Sequence, residues 1–153
     1  MNKPIDVFNN PESYIDFLIS PDLERLYGQY FDWKEIRNPY DKNQSYEGLI
    51  ECISAFANSN PDGGIIILGV NDKTQTVIGT EHLTEEQLNN ILRLPNQKLR
   101  HQIFQSKPVT IEGHRIYLIY VPYEERNICQ TVTNPQQAWK RNGAQCELFK
   151  QED

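Results

Sequence analysis

The chain has 153 residues, of which 38% are hydrophobic and 24% charged, and it carries a net charge of −6. This length suits one domain with its own core, spanning residues 1–153, and the composition is that of an ordinary soluble globular protein. No apolar run approaches the roughly 18 residues of a membrane span, and the opening residues lack an apolar signal core, so the cytoplasm is the expected location.

The cysteines Cys52, Cys129 and Cys146 are odd in number and widely spaced, which argues against a disulfide framework. With His82, His101 and His114 scattered as well, no zinc-ligand spacing is present. Charge is uneven along the chain. Residues 1–92 hold 6 Lys and Arg against 15 Asp and Glu, and residues 93–153 hold 9 against 6. That asymmetry permits a basic face beside an acidic one, and a well-mixed surface is the alternative.

In chain order, Asn10-Pro11-Glu12 starts a helix, with Asn as N-cap and Pro at the first helical position. Tyr14, Phe17 and Leu18 share its face, and Ile19-Ser20-Pro21 ends it. Residues 29–36 read as a strand, through the β propensity of Tyr30, Phe31 and Trp33. Residues 38–44 form a loop. Leu49, Ile53, Phe56 and Ala57 fall at helical spacing, so residues 45–58 form an amphipathic helix. Its outer face, with Glu47, Glu51 and Ser54, is read as solvated. Residues 58–64 are turn chemistry, and residues 65–70 are an apolar, β-branched strand covered on both faces. Asn71-Asp72-Lys73 turns the chain, and residues 76–79 return as a strand.

Thr84 and Gln87 make a capping box before a helix with the stripe Leu88, Ile91 and Leu92, which Pro95 interrupts. Residues 97–104 read as a further helix carrying Lys98, Arg100 and His101. Residues 109–111 and 115–121 flank a Glu112-Gly113 turn and form a hairpin. Residues 128–132 and 137–141 are short final strands. Helices and strands alternate early and strands cluster late. The fold class is therefore α+β: a mixed, mostly antiparallel sheet with helices packed on it.

Several segments together resemble the Schlafen AlbA-like domain. They are Phe31-Asp32-Trp33-Lys34, Ser54-Ala55-Phe56-Ala57-Asn58, Gly63-Gly64, Gly69-Val70-Asn71-Asp72 and Val77-Ile78-Gly79. Residues 116–122, ending in Val121-Pro122, and Ala138-Trp139-Lys140-Arg141-Asn142-Gly143 extend the likeness over roughly residues 14–146. The resemblance implies nucleic-acid binding, and in the ribonucleases of the family a three-carboxylate site. Two of those acids fall on Asp32 and Asp72. The third position falls on Tyr27, and Glu24 takes its place if three residues are inserted. The family's Glu stands here as the shorter Asp32.

Carboxylates suit such a site because Mg²⁺ or Mn²⁺ held by two or three of them neutralises charge developing on a phosphodiester and activates water. Asp32, Asp72 and Glu24 are thus the candidate catalytic and metal-holding residues. The plainer alternative makes Asp72 a turn cap and Asp32 a solvated strand residue. Lys34 shares a strand face with Asp32, where it meets a phosphate or pairs with a carboxylate. Lys140 and Arg141 beside Trp139 suit contacts to a single strand's backbone and bases, unless Trp139 packs in the core. Gly63-Gly64 is read as a turn. No Gly-Lys-Ser/Thr follows it and a strand, not a helix, comes next, so no ATP site is supported.

Three readings follow. The first is a nucleic-acid-binding module, for RNA or DNA, that contacts the phosphate backbone through Lys34, Lys140 and Arg141. The second is a metal-dependent endoribonuclease using Glu24, Asp32 and Asp72. The third is an inactive protein-interaction or regulatory domain, which the acidic net charge favours. No membrane partner is expected, and the oligomeric state is not legible.

Overall fold

The structure, a computed structural model, describes residues 2–36, 42–100, 104–133 and 135–149, with side chains from residue 48 onward in the second of these stretches. Residues 37–41, most of them in the expected loop, and residues 101–103, including His101, lie outside the described residues.

Three short helices come first: α1 (Pro4–Asn9), α2 (Ile15–Leu18), entered through a 3-10 turn at Pro11–Tyr14, and α3 (Leu23–Tyr27). Then follow β1 (Phe31–Lys34), α4 (Lys42–Ser59), β2 (Gly64–Leu68), α5 (Glu85–Lys98), β3 (Gln105–Ile111), β4 (His114–Val121), β5 (Trp139–Asn142) and β6 (Gln145–Leu148). One sheet has the order β1-β2-β4-β3, and β5-β6 form a separate antiparallel pair. Only β1 and β2 run parallel, joined through α4. The α+β class and the mixed, mostly antiparallel sheet are as expected.

β2 explains why the sheet is buried on both faces. Ile65, Ile66 and Ile67 are each 0% exposed, and burying each contributes about 1.5–3 kcal/mol. Alternation sends Ile66 and Leu68 toward α4 and α5, together with Ile119 and Val121 of β4. Ile65 and Ile67 face the other way and join Val7, Phe8, Leu18 and Leu23 of the N-terminal helices. The same alternation on β1 buries Phe31 and Trp33 on the N-terminal side, with Trp33 Nε1 donating to the Leu18 carbonyl at 2.8 Å. Asp32 and Lys34 therefore look toward α4 and the β5-β6 hairpin.

The Gly63-Gly64 corner is a backbone requirement. Gly63 has φ of 77°, and a Cβ there would meet the Val121 carbonyl at 2.7 Å. A Cβ on Gly64 would run into the Phe56 ring.

Five expectations change. Ser54 is not solvated: it is fully buried, donates to the Cys129 carbonyl at 2.7 Å and accepts from the Trp139 N–H at 3.0 Å. Asn58 bonds Cys129 and Trp139, and Ser59 accepts from the Arg141 N–H. This face of α4 satisfies the backbone of β5, which no helical periodicity announces. Helix α5 runs through Pro95 rather than stopping, and Leu99 N–H still bonds the Pro95 carbonyl at 2.9 Å. Pro95 sits in the last turn, where only the Ile91 carbonyl loses a donor. Residues 97 and 98 consequently close α5 instead of opening another helix. The last two strands lie one step later than expected, and residues 128–132 contribute only isolated bridges. Likewise, residues 76–79 return through one bridge, Val70 with Val77.

Candidate functional site

The one-turn helix α3 carries Leu23, fully buried, while the Tyr27 ring packs edge-on to Phe17 with centroids 5.0 Å apart. Those anchors turn Glu24 toward the end of β1. There its carboxylate accepts from the Trp33 backbone N–H, and its buried Oε1 has no hydrogen-bond partner. Burial first, then the charges of Asp32 and Asp72, push the Glu24 pKa up, against the pull of the Trp33 N–H and Lys34.

Asp32 is 5% exposed. Lys34 Nζ lies 2.8 Å from its Oδ2 and Arg141 Nη2 lies 3.6 Å from its Oδ1. The Cys52 thiol donates to Oδ2 at 3.4 Å. Burial opposes the charge on Lys34, but the Asp32 carboxylate outweighs it and the ammonium is held above its usual pKa.

Arg141 comes from β5, whose exposure alternates buried, exposed, buried, exposed. Its side chain is 1% exposed. Nε donates to the carbonyls of Gly28 and Gly143, both at 2.9 Å, and the guanidinium lies 4.9 Å from the Phe56 ring centroid. Nη1 reaches Cys146 Sγ at 3.2 Å and Cys52 Sγ at 3.8 Å. The buried Nη2 has no hydrogen-bond acceptor, only its longer ion pair to Asp32.

Asp72 follows β2 in a turn whose capping bonds come from its neighbour. Asn71 Oδ1 accepts from the N–H groups of Lys73 and Thr74 and from the Thr74 hydroxyl, and Asn71 Nδ2 donates to Glu35. The capping role considered for Asp72 thus belongs to Asn71, and the Asp72 side chain points into a shared cavity.

That cavity has a volume of about 330 Å³ and is lined by Glu24, Asp32 and Asp72 together with Lys34, Glu51 and Arg141. The three sequence-derived carboxylates do meet around one space, with Glu24 rather than Tyr27 contributing. Of the four residues proposed as a basic face, Lys34 and Arg141 come together, both lining the cavity and both against Asp32, while Trp139 and Lys140 lie elsewhere. Trp139 is 8% exposed and borders a second, smaller cleft with Ile50 and Lys98. Lys140 projects outward, opposite Glu147 on β6. Arg141 is an interior cation and not a surface one; strand alternation is the reason.

Cys52 and Cys146 belong to the site as well, through Arg141, and no motif in the sequence announces them. Cys52 stands four residues before Phe56, so its burial was legible; its contact with β6 was not. Glu51 also lines the cavity instead of a plain solvated face.

Among the described residues, no group of three His, Cys, Asp or Glu side chains is placed to hold a metal ion. Asp32 already has Lys34 and Arg141 as counter-ions. The protein groups therefore do not fit a resident divalent ion.

Fold and cavity together define an α+β domain in which a β1–α4–β2 unit and a C-terminal hairpin enclose a mixed acid–base site. The Schlafen, AlbA_2 family model matches residues 28–150, and the chain belongs to that family. No curated protein matches it. Among solved structures it is similar to the DIP2311 protein of Corynebacterium diphtheriae, at 23% identity and a TM-score of 0.57, covering 79% of this chain. The chain spans 25% of that protein's length. It is also similar to the N-terminal domain of a RecG-related protein from Nitrosomonas europaea, at 19% identity and a TM-score of 0.57, covering 91% of this chain and 96% of that domain. At these identities the likeness concerns the fold. Among the described residues, no helix is long and apolar enough to cross a membrane.

Proposed function

We propose that this is a nucleic-acid-binding domain whose acid–base cavity receives a phosphodiester of a single strand. One observation carries the reading: Arg141 Nη2 is buried without an acceptor and a Glu24 oxygen is buried without a donor, and both residues line one cavity with Lys34. A buried, unsatisfied donor costs about 1–3 kcal/mol, and an anionic phosphate oxygen is the acceptor that best relieves it. Family membership supports the reading, as does the neighbour named for relation to an ATP-dependent DNA helicase.

The lining holds more carboxylates than cations, so a bare polyanion is not drawn in by charge alone. Mg²⁺ or Mn²⁺ accompanying the strand would supply the missing positive charge. Lys34 and Arg141 keep Asp32 neutralised and present N–H donors to the phosphate. Trp139 and Lys140 lie outside this cavity and take no part in that contact; a base beyond it would reach the cleft beside Trp139.

The test is fluorescence anisotropy with labelled single-stranded RNA and DNA, with and without Mg²⁺, over a salt series. Affinity is expected to rise with Mg²⁺ and to fall with salt, with a log-log slope near −0.7 per phosphate contact. Lys34→Gln should weaken binding about tenfold, the worth of one charged hydrogen bond. Absence of binding at low salt with Mg²⁺ present would refute the proposal.

A second reading, endoribonuclease activity, is favoured by the raised pKa of Glu24, which burial and the charges of Asp32 and Asp72 hold above the usual carboxylate range. Incubation of tRNA with Mn²⁺ tests it separately. Equal cleavage by the native chain and Asp72→Ala discards the enzyme reading and leaves the binding reading standing.

A further inference from the structure

The cavity wall contains a second chemistry that phosphate binding does not use. Cys146 of β6 and Cys52 of α4 are 94 positions apart in sequence, yet both sulfurs border one guanidinium. Both are free thiols, Cys52 buried and Cys146 part-exposed on the open cavity. Arg141 Nη1 sits against both sulfurs, at 3.2 and 3.8 Å.

We infer that Cys146 and Cys52 form an oxidation site that takes a peroxide as co-substrate and closes to a reversible disulfide. The two sulfurs divide the work by position. Cys146 is the one a small peroxide reaches from the cavity, and the adjacent guanidinium favours its thiolate, the nucleophilic form. Its pKa is drawn down to about 7, first by the neighbouring Cys52 side chain and then, against burial, by Arg141. Cys52 is fully buried and its thiol is pushed well up by that burial, so it keeps its proton until a sulfur partner is presented.

In the first step the Cys146 thiolate attacks one peroxide oxygen. The O–O bond breaks, hydroxide leaves, the peroxide is reduced and Cys146 becomes a sulfenic acid. In the second, Cys52 attacks that sulfur. The S–S bond forms, the S–O bond breaks, and the Cys52 proton departs with the oxygen as water. A dithiol reductant returns both sulfurs to thiols. Cys129 is an internal control: it is fully buried against another part of α4, and its thiol is pushed up to about 12, chiefly by burial.

The inference does not depend on what the cavity binds. Its test is treatment of the folded chain with hydrogen peroxide, followed by thiol alkylation and mass mapping without reductant. The expected product lacks two hydrogens, links residue 52 to residue 146, leaves only Cys129 open to alkylation after unfolding, and reverts with dithiothreitol. Cys52→Ser should leave the sulfenic acid unresolved, so that dimedone labels Cys146 several-fold more than in the native chain. Cys129→Ser should leave the cross-link unchanged. Three alkylatable thiols in the peroxide-treated native chain, or a bridge that includes Cys129, would overturn it.

Discussion

Replacing Arg141 with Leu separates an interior cation from a surface one. In the structure its side chain is 1% exposed, donates to two glycine carbonyls at 2.9 Å and offsets the Asp32 charge from 3.6 Å. Removing one member of a buried ion pair costs about 3–5 kcal/mol, because the other charge stays behind. Each orphaned carbonyl adds about 1 kcal/mol. Lys34 remains 2.8 Å from Asp32 and its side chain is 31% exposed, so it offsets part of this. The net loss should be about 3–4 kcal/mol, from the balance of those terms. In a domain of this size each kcal/mol moves Tm by about 2–4 °C, so Tm should fall by about 10 °C. Circular dichroism with heat and with urea measures it. The double variant Asp32→Asn with Arg141→Leu should recover a large part of the loss, since no unpaired carboxylate is left. A loss below about 1 kcal/mol would show that Arg141 is solvated and that the buried cluster is misread.

Two further perturbations probe the same region. The raised pKa of Glu24 means that the folded chain binds its proton more readily than the unfolded chain does, so stability falls as pH rises from the usual carboxylate range through the folded pKa. Glu24→Gln should therefore be more stable than the native chain near neutral pH and equal to it in acid; urea midpoints across pH check this, and an unchanged difference at all pH values contradicts it. Gly28→Ala should cost about 1–3 kcal/mol, because the added methyl meets the Ala144 Cβ at 2.7 Å and the Glu24 carbonyl and pushes the hairpin turn off α3. A urea midpoint within error of the native chain would show that the turn yields freely.

Local chemistry carried much of this structure. Leu49, Ile53 and Phe56 announced α4 by their spacing, Thr84 and Gln87 announced the start of α5, and Ile65, Ile66 and Ile67 announced a strand buried on both faces, because each signal depends on residues within one or two turns of each other. The Glu112-Gly113 turn was legible for the same reason: both residues have positive φ, 51° and 78°, as a tight hairpin requires. The α+β class and the family followed from such pieces taken in order. The side Asp32 shares with Lys34 was also local, a matter of strand alternation.

What the sequence could not decide were contacts between distant elements. Ser54 looked like part of a solvated helix face, and Asn58 and Ser59 like turn residues; all three instead satisfy the backbone of residues about 70 to 85 positions away. Alternation already places Lys140 and Arg141 on opposite faces of their strand; that docking decides that Arg141 goes inside, beside Asp32, and Lys140 outside. It also sets Cys146 against Cys52. The carboxylates of Glu24, Asp32 and Asp72 were named from the chain, but their meeting around one cavity, with Lys34 and Arg141 already between them, is a product of packing: periodicity fixes which face a side chain takes, and only the closed core fixes what that face meets.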